Sequence, residues 1–160
     1  MNCFRITVNG HPEPAGSKKS MLIYKGKGAN RKPVMKNGKF VIATVDANAD
    51  SAPWKKHVAA VVKKQFREEL WTGPLRVRFT FYVRRPKGHF NDPETRLRLN
   101  KKGRETPHPI VRPDVLKLSR GVEDALTGVV WVDDSQIVDE NLTKAWDETE
   151  GVEIEVCKIV

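Results

Sequence analysis

A chain of 160 residues, 39% hydrophobic and 31% charged, has the size of one domain and enough apolar side chains to build a core. Its bias is in sign: 29 Lys and Arg against 20 Asp and Glu leave a net charge of +9, which favours nucleic acid first and an anionic surface second, although plain solubility would account for it too. No apolar run reaches the length of a membrane span, and two cysteines are too few for a disulfide framework or a zinc site.

Residues 3–8 alternate, with Phe4, Ile6 and Val8 on one side and Arg5 and Thr7 on the other, which predicts a half-buried strand. Asn9-Gly10 ends it. Residues 16–38 are rich in Gly, Lys and Arg, flanked by the apolar pieces Met21 to Tyr24 and Phe40 to Val45. The pattern predicts a hairpin-like excursion with a mobile basic tip. It reads either as a solvated loop or as a phosphate-contacting flap in which Lys18 and Lys19 take part.

A polar stretch from Asp46 to Ser51 opens a helix, with Pro53 in its first turn. Trp54, Val58, Val61, Val62, Phe66 and Leu70 form its apolar stripe, and Gly73-Pro74 is the expected end. Lys55, Lys56, Lys63, Lys64 and Arg67 fall on the outer face, and His57 reads as a surface residue. Leu75, Val77, Phe79 and Phe81 then alternate with Arg76, Arg78, Thr80 and Tyr82, a second strand with one core face and one basic face.

Residues 84–112 lack periodicity and read as a long loop. Their cations include Arg85, Lys87, Lys101, Lys102, Arg104 and Arg112, suited to holding a polyanion. His89 and His108 could help to hold it, or read as merely exposed, with no spacing that marks either as catalytic. A second helix is predicted from Asp114 to Leu126, with Val115, Leu118, Val122, Ala125 and Leu126 buried, Asp114 as N-cap and Gly128 as stop. Arg120 and Asp124 are spaced to pair. A third strand surrounds Ile137, and a last one takes in Val152, Ile154, Val156 and Ile159-Val160. Cys3 and Cys157 fall in strands that could be neighbours, and read as buried thiols in a reducing cytosol.

These elements predict an α/β (α+β) domain over residues 1–160: β-α-β-α-β-β, a small mixed sheet with two helices packed on it, plus long basic loops. Asp114 enters the second helix and Asp133-Asp134 enter the following strand. Acids at both junctions are expected to converge as ligands of a divalent cation, with Lys117, Arg120 and Lys144 near by and Lys144 expected to contact DNA phosphate. Carboxylates holding a cation amid bases suit phosphodiester hydrolysis. The plainer alternative makes Asp114 a cap and Asp133-Asp134 a turn.

Residues 113–128 read P-D-x-x-K-L-x-R-x-x-x-D-A-L-T-G, followed by D-D-x-Q-I-V at 133–138 and a later Lys144. This combination resembles the RusA-type Holliday-junction resolvases. The phage and prophage branch is nearest, because R-P-K-G-H-F at 85–90 resembles its preceding loop. The resemblance implies a homodimer that cuts four-way or otherwise branched DNA with Mg2+, or Mn2+ in its place, in DNA recombination, repair or phage DNA processing in the cytoplasm. It also implies that Asp114 and Asp134 are catalytic metal ligands, with Asp133 a third ligand or a partner behind them, that Arg120 matches a conserved basic residue, and that Asp124 matches a family aspartate; by their own chemistry, Arg120 or Lys117 would stabilise the negative charge that grows on the phosphate. The family pattern has a further aspartate where this chain has Leu116, and Glu123, Asp139 and Glu140 are the candidates to replace it. Without a replacement, either the active site works with fewer ligands, or the chain is a junction-binding protein that cuts poorly or not at all.

Overall fold

The computed structural model describes residues 2–16 and 18–159. Strand β1 (Cys3–Asn9) buries Ile6 and Val8. An arm follows, made of β2 (Lys18–Leu22), β3 (Tyr24–Lys25), β4 (Lys32–Pro33), β5 (Met35–Lys36), β6 (Lys39–Phe40) and β7 (Ile42–Asp46). β2 pairs antiparallel with β7 from Lys18↔Asp46 to Leu22↔Ile42, and β3–β4 and β5–β6 pair within that frame. The arm is therefore a built hairpin, and its apolar residues Met21, Tyr24, Met35, Phe40 and Ile42 remain exposed.

Helix α1 (Ser51–Gln65) buries Trp54, Val58 and Val62. It stops before the expected Gly73-Pro74. Phe66 turns to extended backbone at φ −76°, ψ 109°, and its ring meets Phe4 and Trp71 edge-on at 5.2 and 5.5 Å. Leu70 lies beyond the helix and is exposed. The core's pull on Phe66 overrides the helical spacing of the residues after it. Strand β8 (Leu75–Arg84) follows its alternation closely, with Leu75, Val77, Phe79 and Phe81 all buried.

Residues 84–112 are more ordered than their composition suggests. A 3-10 turn at Lys87–His89 is followed by helix α2 (Lys101–Glu105). The Asn100 side chain ties the two, donating to the Gly88 and Phe90 carbonyls and accepting from the Gly103 N–H. His89 is buried against the edge of Trp146 rather than exposed, and among the described residues its Nδ1 has no hydrogen-bond partner. Burial, aided by Lys102 and Arg85, holds its pKa below the usual histidine value.

Helix α3 (Val115–Leu126) buries Leu118, Val122, Ala125 and Leu126 and packs on α1, β8 and β9 (Ile137–Asp147). After β9, strand β10 (Gly151–Lys158) closes the main sheet, whose order is β1-β10-β8-β9. Only β8–β9 is parallel within it, so the sheet is mixed as predicted, with α1 and α3 as its two packed helices. The last strand ends at Lys158; Val160 lies outside the described residues. The sheet's outer face carries ion pairs such as Arg5–Glu155 and Arg76–Asp139. Cys3 and Cys157 stand directly opposite in the β1–β10 register, with Cα atoms 4.1 Å apart, and form a disulfide. This corrects the expectation of two buried thiols: register brings the sulfurs together, and Cys3 is exposed. Among the described residues, no helix is long and apolar enough to cross a membrane.

Gly103 tests the order of the 84–112 segment. A methyl group there would collide with the His89 carbonyl, which is backbone and cannot swing aside. Gly103→Ala should lower unfolding stability by about 1–3 kcal/mol, an overpacking cost. Chemical denaturation would measure it, and an unchanged midpoint would mean that the segment does not hold this packing.

Candidate active site

Helix α3 sets the site's geometry. Its buried stripe turns Leu118, Val122 and Leu126 inward, which leaves Leu116, Arg120 and Glu123 on the outward side. The segment before the arm runs alongside it: the Ala15 N–H donates to the Lys117 carbonyl at 2.7 Å. Gly16 lies so close to Arg120 that a Cβ would sit 2.8 Å from its Cδ. Arg120 is thereby seated against backbone at the root of the arm, beside Lys18.

The acids do not converge as expected. A helix of this length is roughly 18 Å long, and the chain turns back only after its C-terminus. Asp134 therefore returns to the C-terminal half of α3, while Asp114 stays at the N-terminus. Asp114 occupies the N-cap position without a capping hydrogen bond from its side chain, and its carboxylate pairs with Lys117 at 3.6 Å. Arg112, Asp114 and Lys117 line a cavity of about 320 Å³ with Pro14, Asn48 and Pro113.

Lys144 points to the same end of the helix. Its ammonium donates to the Val111 carbonyl and, at 2.9 Å, to that of Pro113. Burial lowers its pKa, and the charge of Asp114 opposes that shift. It staples the loop that delivers Asp114, a role other than the phosphate contact expected of it.

Asp133 is committed to the turn. Its carboxylate accepts from the Ser135 N–H at 2.9 Å, while Gln136 Oε1 accepts from the Asp133 and Val132 N–H groups, both at 3.0 Å. Hydrogen bonds from Ser135 hold its carboxyl below the usual range. Asp134, the next residue, is exposed. It lines a cleft of about 400 Å³ with Gly16, Lys18, Arg120, Glu123 and Asp124.

Glu123 is the most perturbed acid in this cleft. Burial first, then the negative charges of Glu140 and Asp134, push its pKa up to about 7, against a hydrogen bond from Ser119. Glu140 comes from β9. Of the three candidates to replace the carboxylate missing at Leu116, the fold gathers Glu123 and Glu140 with Asp134. Asp139 is instead engaged by Arg76. Leu116 itself is 63% exposed, on the Arg120–Glu123 side of α3. Among the described residues, no three His, Cys, Asp or Glu side chains form a finished metal site. The Glu123, Asp134 and Glu140 group still has the right donor chemistry for a hard divalent cation: carboxylate oxygens only, repelling one another.

The expected DNA contacts divide. Lys18, Lys19, Lys102 and Arg112 are exposed, and Lys101 and Lys87 pair only with the exposed Glu105 and Glu94. Arg85 is structural: it donates to the Gly103 and Thr106 carbonyls and lies over the Trp146 ring, 5.2 Å from its centroid. Arg104 donates to the Leu99 carbonyl at 2.7 Å. Asp124 pairs with Lys55 at 3.2 Å, not with Arg120. Lys55 and Lys56, read from sequence as a plain outer face, line a cavity that also reaches Asp134. Only the tertiary packing of α1 on α3 reveals that.

The sequence profile of endodeoxyribonuclease RusA matches residues 24–157. The chain belongs to the RusA endodeoxyribonuclease family. It is also 29% identical over 159 residues, 99% of each chain, to YqaN of Bacillus subtilis (strain 168), an uncharacterized protein. The RusA family acts on Holliday junctions and is a nuclease family. In this member, the motif's Arg120 and Asp134 share one cleft with Glu123, while Asp114 and Lys117 occupy the far end of the same helix.

The raised pKa of Glu123 gives a stability signature. A carboxyl raised from 4.5 to about 7 binds its proton more tightly folded than unfolded. Its contribution is therefore fully present below pH 4.5 and is lost as pH rises through about 7. Without divalent cations, the wild type should lose thermal stability relative to Glu123→Gln between pH 5 and pH 8. Parallel melting curves of the two proteins across that range would count against the assigned environment.

Proposed function

We propose that the protein is a divalent-metal-dependent endonuclease that resolves four-way or branched DNA, working as a homodimer in recombination, repair or phage DNA processing in the cytoplasm. The observation that supports this reading is the meeting of Glu123 and Asp134 with Arg120 and Lys18 in one cleft, with Glu140 close enough to act on Glu123, at and around the RusA motif positions. Glu123, Asp134 and Glu140 would hold the cation, magnesium or manganese. When bound, the cation supplies charge that polarises the phosphate and acidifies a water.

The chain's own residues do the rest. Arg120, among the described residues engaged in no ion pair and braced on Gly16, offers a planar fork to the phosphate oxygens and stabilises the charge that grows on them. Lys18 adds a second positive charge at the cleft. Asp133 fixes the turn that presents Asp134. At the other end of α3, Lys144 holds the loop before Asp114, which leaves Lys117 and Arg112 to bind a neighbouring phosphate. Two related active sites suit the paired incisions that a two-fold junction requires.

A second reading, a junction-binding protein that does not cut, is favoured by Leu116 alone. The test is cleavage of a labelled four-way junction with and without Mg2+. The wild type should cut only with the cation, and Asp134→Asn should abolish cutting while leaving junction binding equal or tighter. Tight binding with no cutting under any divalent cation would establish the second reading.

Leu116 permits a gain-of-function test. Because it is exposed, Leu116→Asp places a carboxylate at the surface and should cost less than about 0.5 kcal/mol of stability. It should tighten Mg2+ binding by calorimetry and raise the cleavage rate. A weaker cation affinity would show that residue 116 does not face the metal ligands.

A further inference from the structure

The active-site cleft does not end at Asp134. A larger groove of about 660 Å³ opens between α1 and α3, lined by Ala52, Lys55, Lys56 and Ala59 on one side and Asp124, Ala125, Thr127, Val129 and Asp134 on the other. It shares Asp124 and Asp134 with the smaller cleft that holds Gly16, Lys18, Arg120 and Glu123. The two hollows therefore adjoin at these two carboxylates. One hollow lies at the root of the basic arm and the other along α1, with the carboxylates between them.

Resting on the endonuclease reading, we propose that the α1–α3 groove is the track of the cleaved DNA strand on one side of the scissile phosphate, with Lys55 and Lys56 binding the flanking phosphates. The side chains suit that occupant. Ala52 and Ala59 give α1 a low surface where a sugar-phosphate chain can lie close to the helix. Lys55 and Lys56 stand at the rim with charge opposite to the strand's. Lys55 is held 3.2 Å from Asp124. The two side chains are 21% and 48% exposed, so Lys55 keeps a solvent-facing side on which a phosphate can be bound. Asp124 in turn keeps Lys55 at the mouth of the groove until a strand arrives.

The test compares Lys55→Gln/Lys56→Gln with the charge-matched control Lys64→Gln/Arg67→Gln, which lies off the groove. Affinity for a four-way junction is measured without divalent cations, from 50 to 200 mM salt. Loss of two phosphate contacts should lower the slope of log affinity against log salt by about two, and weaken binding about tenfold or more at the low-salt end. The control should leave the slope nearly unchanged. In addition, neutral methylphosphonates placed one at a time beside the cut site should weaken wild-type binding at one or two positions and have no further effect there on the double variant.

A second variant, Ala59→Glu, puts a carboxylate in the groove at an only partly buried site and should weaken binding at least as much. Circular dichroism melting would verify that each variant is folded. An unchanged slope and affinity in Lys55→Gln/Lys56→Gln, or losses equal to the control's, would overturn the proposal. That outcome differs from failure of the endonuclease reading, in which the wild type itself neither prefers nor cuts branched DNA.

Discussion

The structure depends on the rotation of one helix about its axis. Burial of Leu118, Val122 and Leu126 locks α3 against α1 and the sheet. Each such side chain contributes about 1.5–3 kcal/mol through removal from water. A rotation that brought Leu116 inward would expose that stripe, so the acidic and basic side is fixed outward by hydrophobic energy alone. Gly121 adds a close contact on the same helix. A Cβ there would lie 3.2 Å from the Glu13 carbonyl, so the segment before the arm can press against α3. That contact, with the Ala15 hydrogen bond, is what brings Gly16 and Lys18 beside Arg120.

The electrostatics of the cleft follow from that placement. The chain carries a net charge of +9, yet Glu123 and Asp134 share this cleft and Glu140 lies within electrostatic reach of Glu123. Desolvation is the largest cause of the raised pKa of Glu123, and the neighbouring carboxylates add to it. A cation bound there would favour the ionised carboxylate and offset both its desolvation and its repulsion. The surrounding bases act differently. Most are exposed and screened by salt, so they serve to attract and orient a polyanion more than to stabilise the fold.

Much of this was legible in the sequence, and the failures are physical. The alternation from Leu75 to Phe81 and the stripe of α3 each encode burial directly, so those elements stand where their patterns put them. The helical spacing of Leu70 extends the predicted helix past its true end, and only contact with Phe4 and Trp71 explains why Phe66 leaves the helix. The site was half legible. Spacing located the motif, but the convergence of Asp114 with Asp134 assumed that the two junctions of a helix-turn unit meet. A helix separates its own ends, so the acid that meets Asp134 lies in its C-terminal half, at Glu123. The partnership of Glu140 depends on the parallel β8–β9 pairing, and the place of Lys55 on α1–α3 packing. Neither is a property of local sequence.

The position of the cation decides between the two ends of α3. Crystals soaked in Mn2+ and measured at a wavelength where manganese scatters anomalously would locate it directly. The strongest anomalous peak should lie among the carboxylates of Glu123, Asp134 and Glu140. A peak at Asp114, with none in the cleft beside Arg120, would contradict the assignment of the catalytic centre to the middle of the helix.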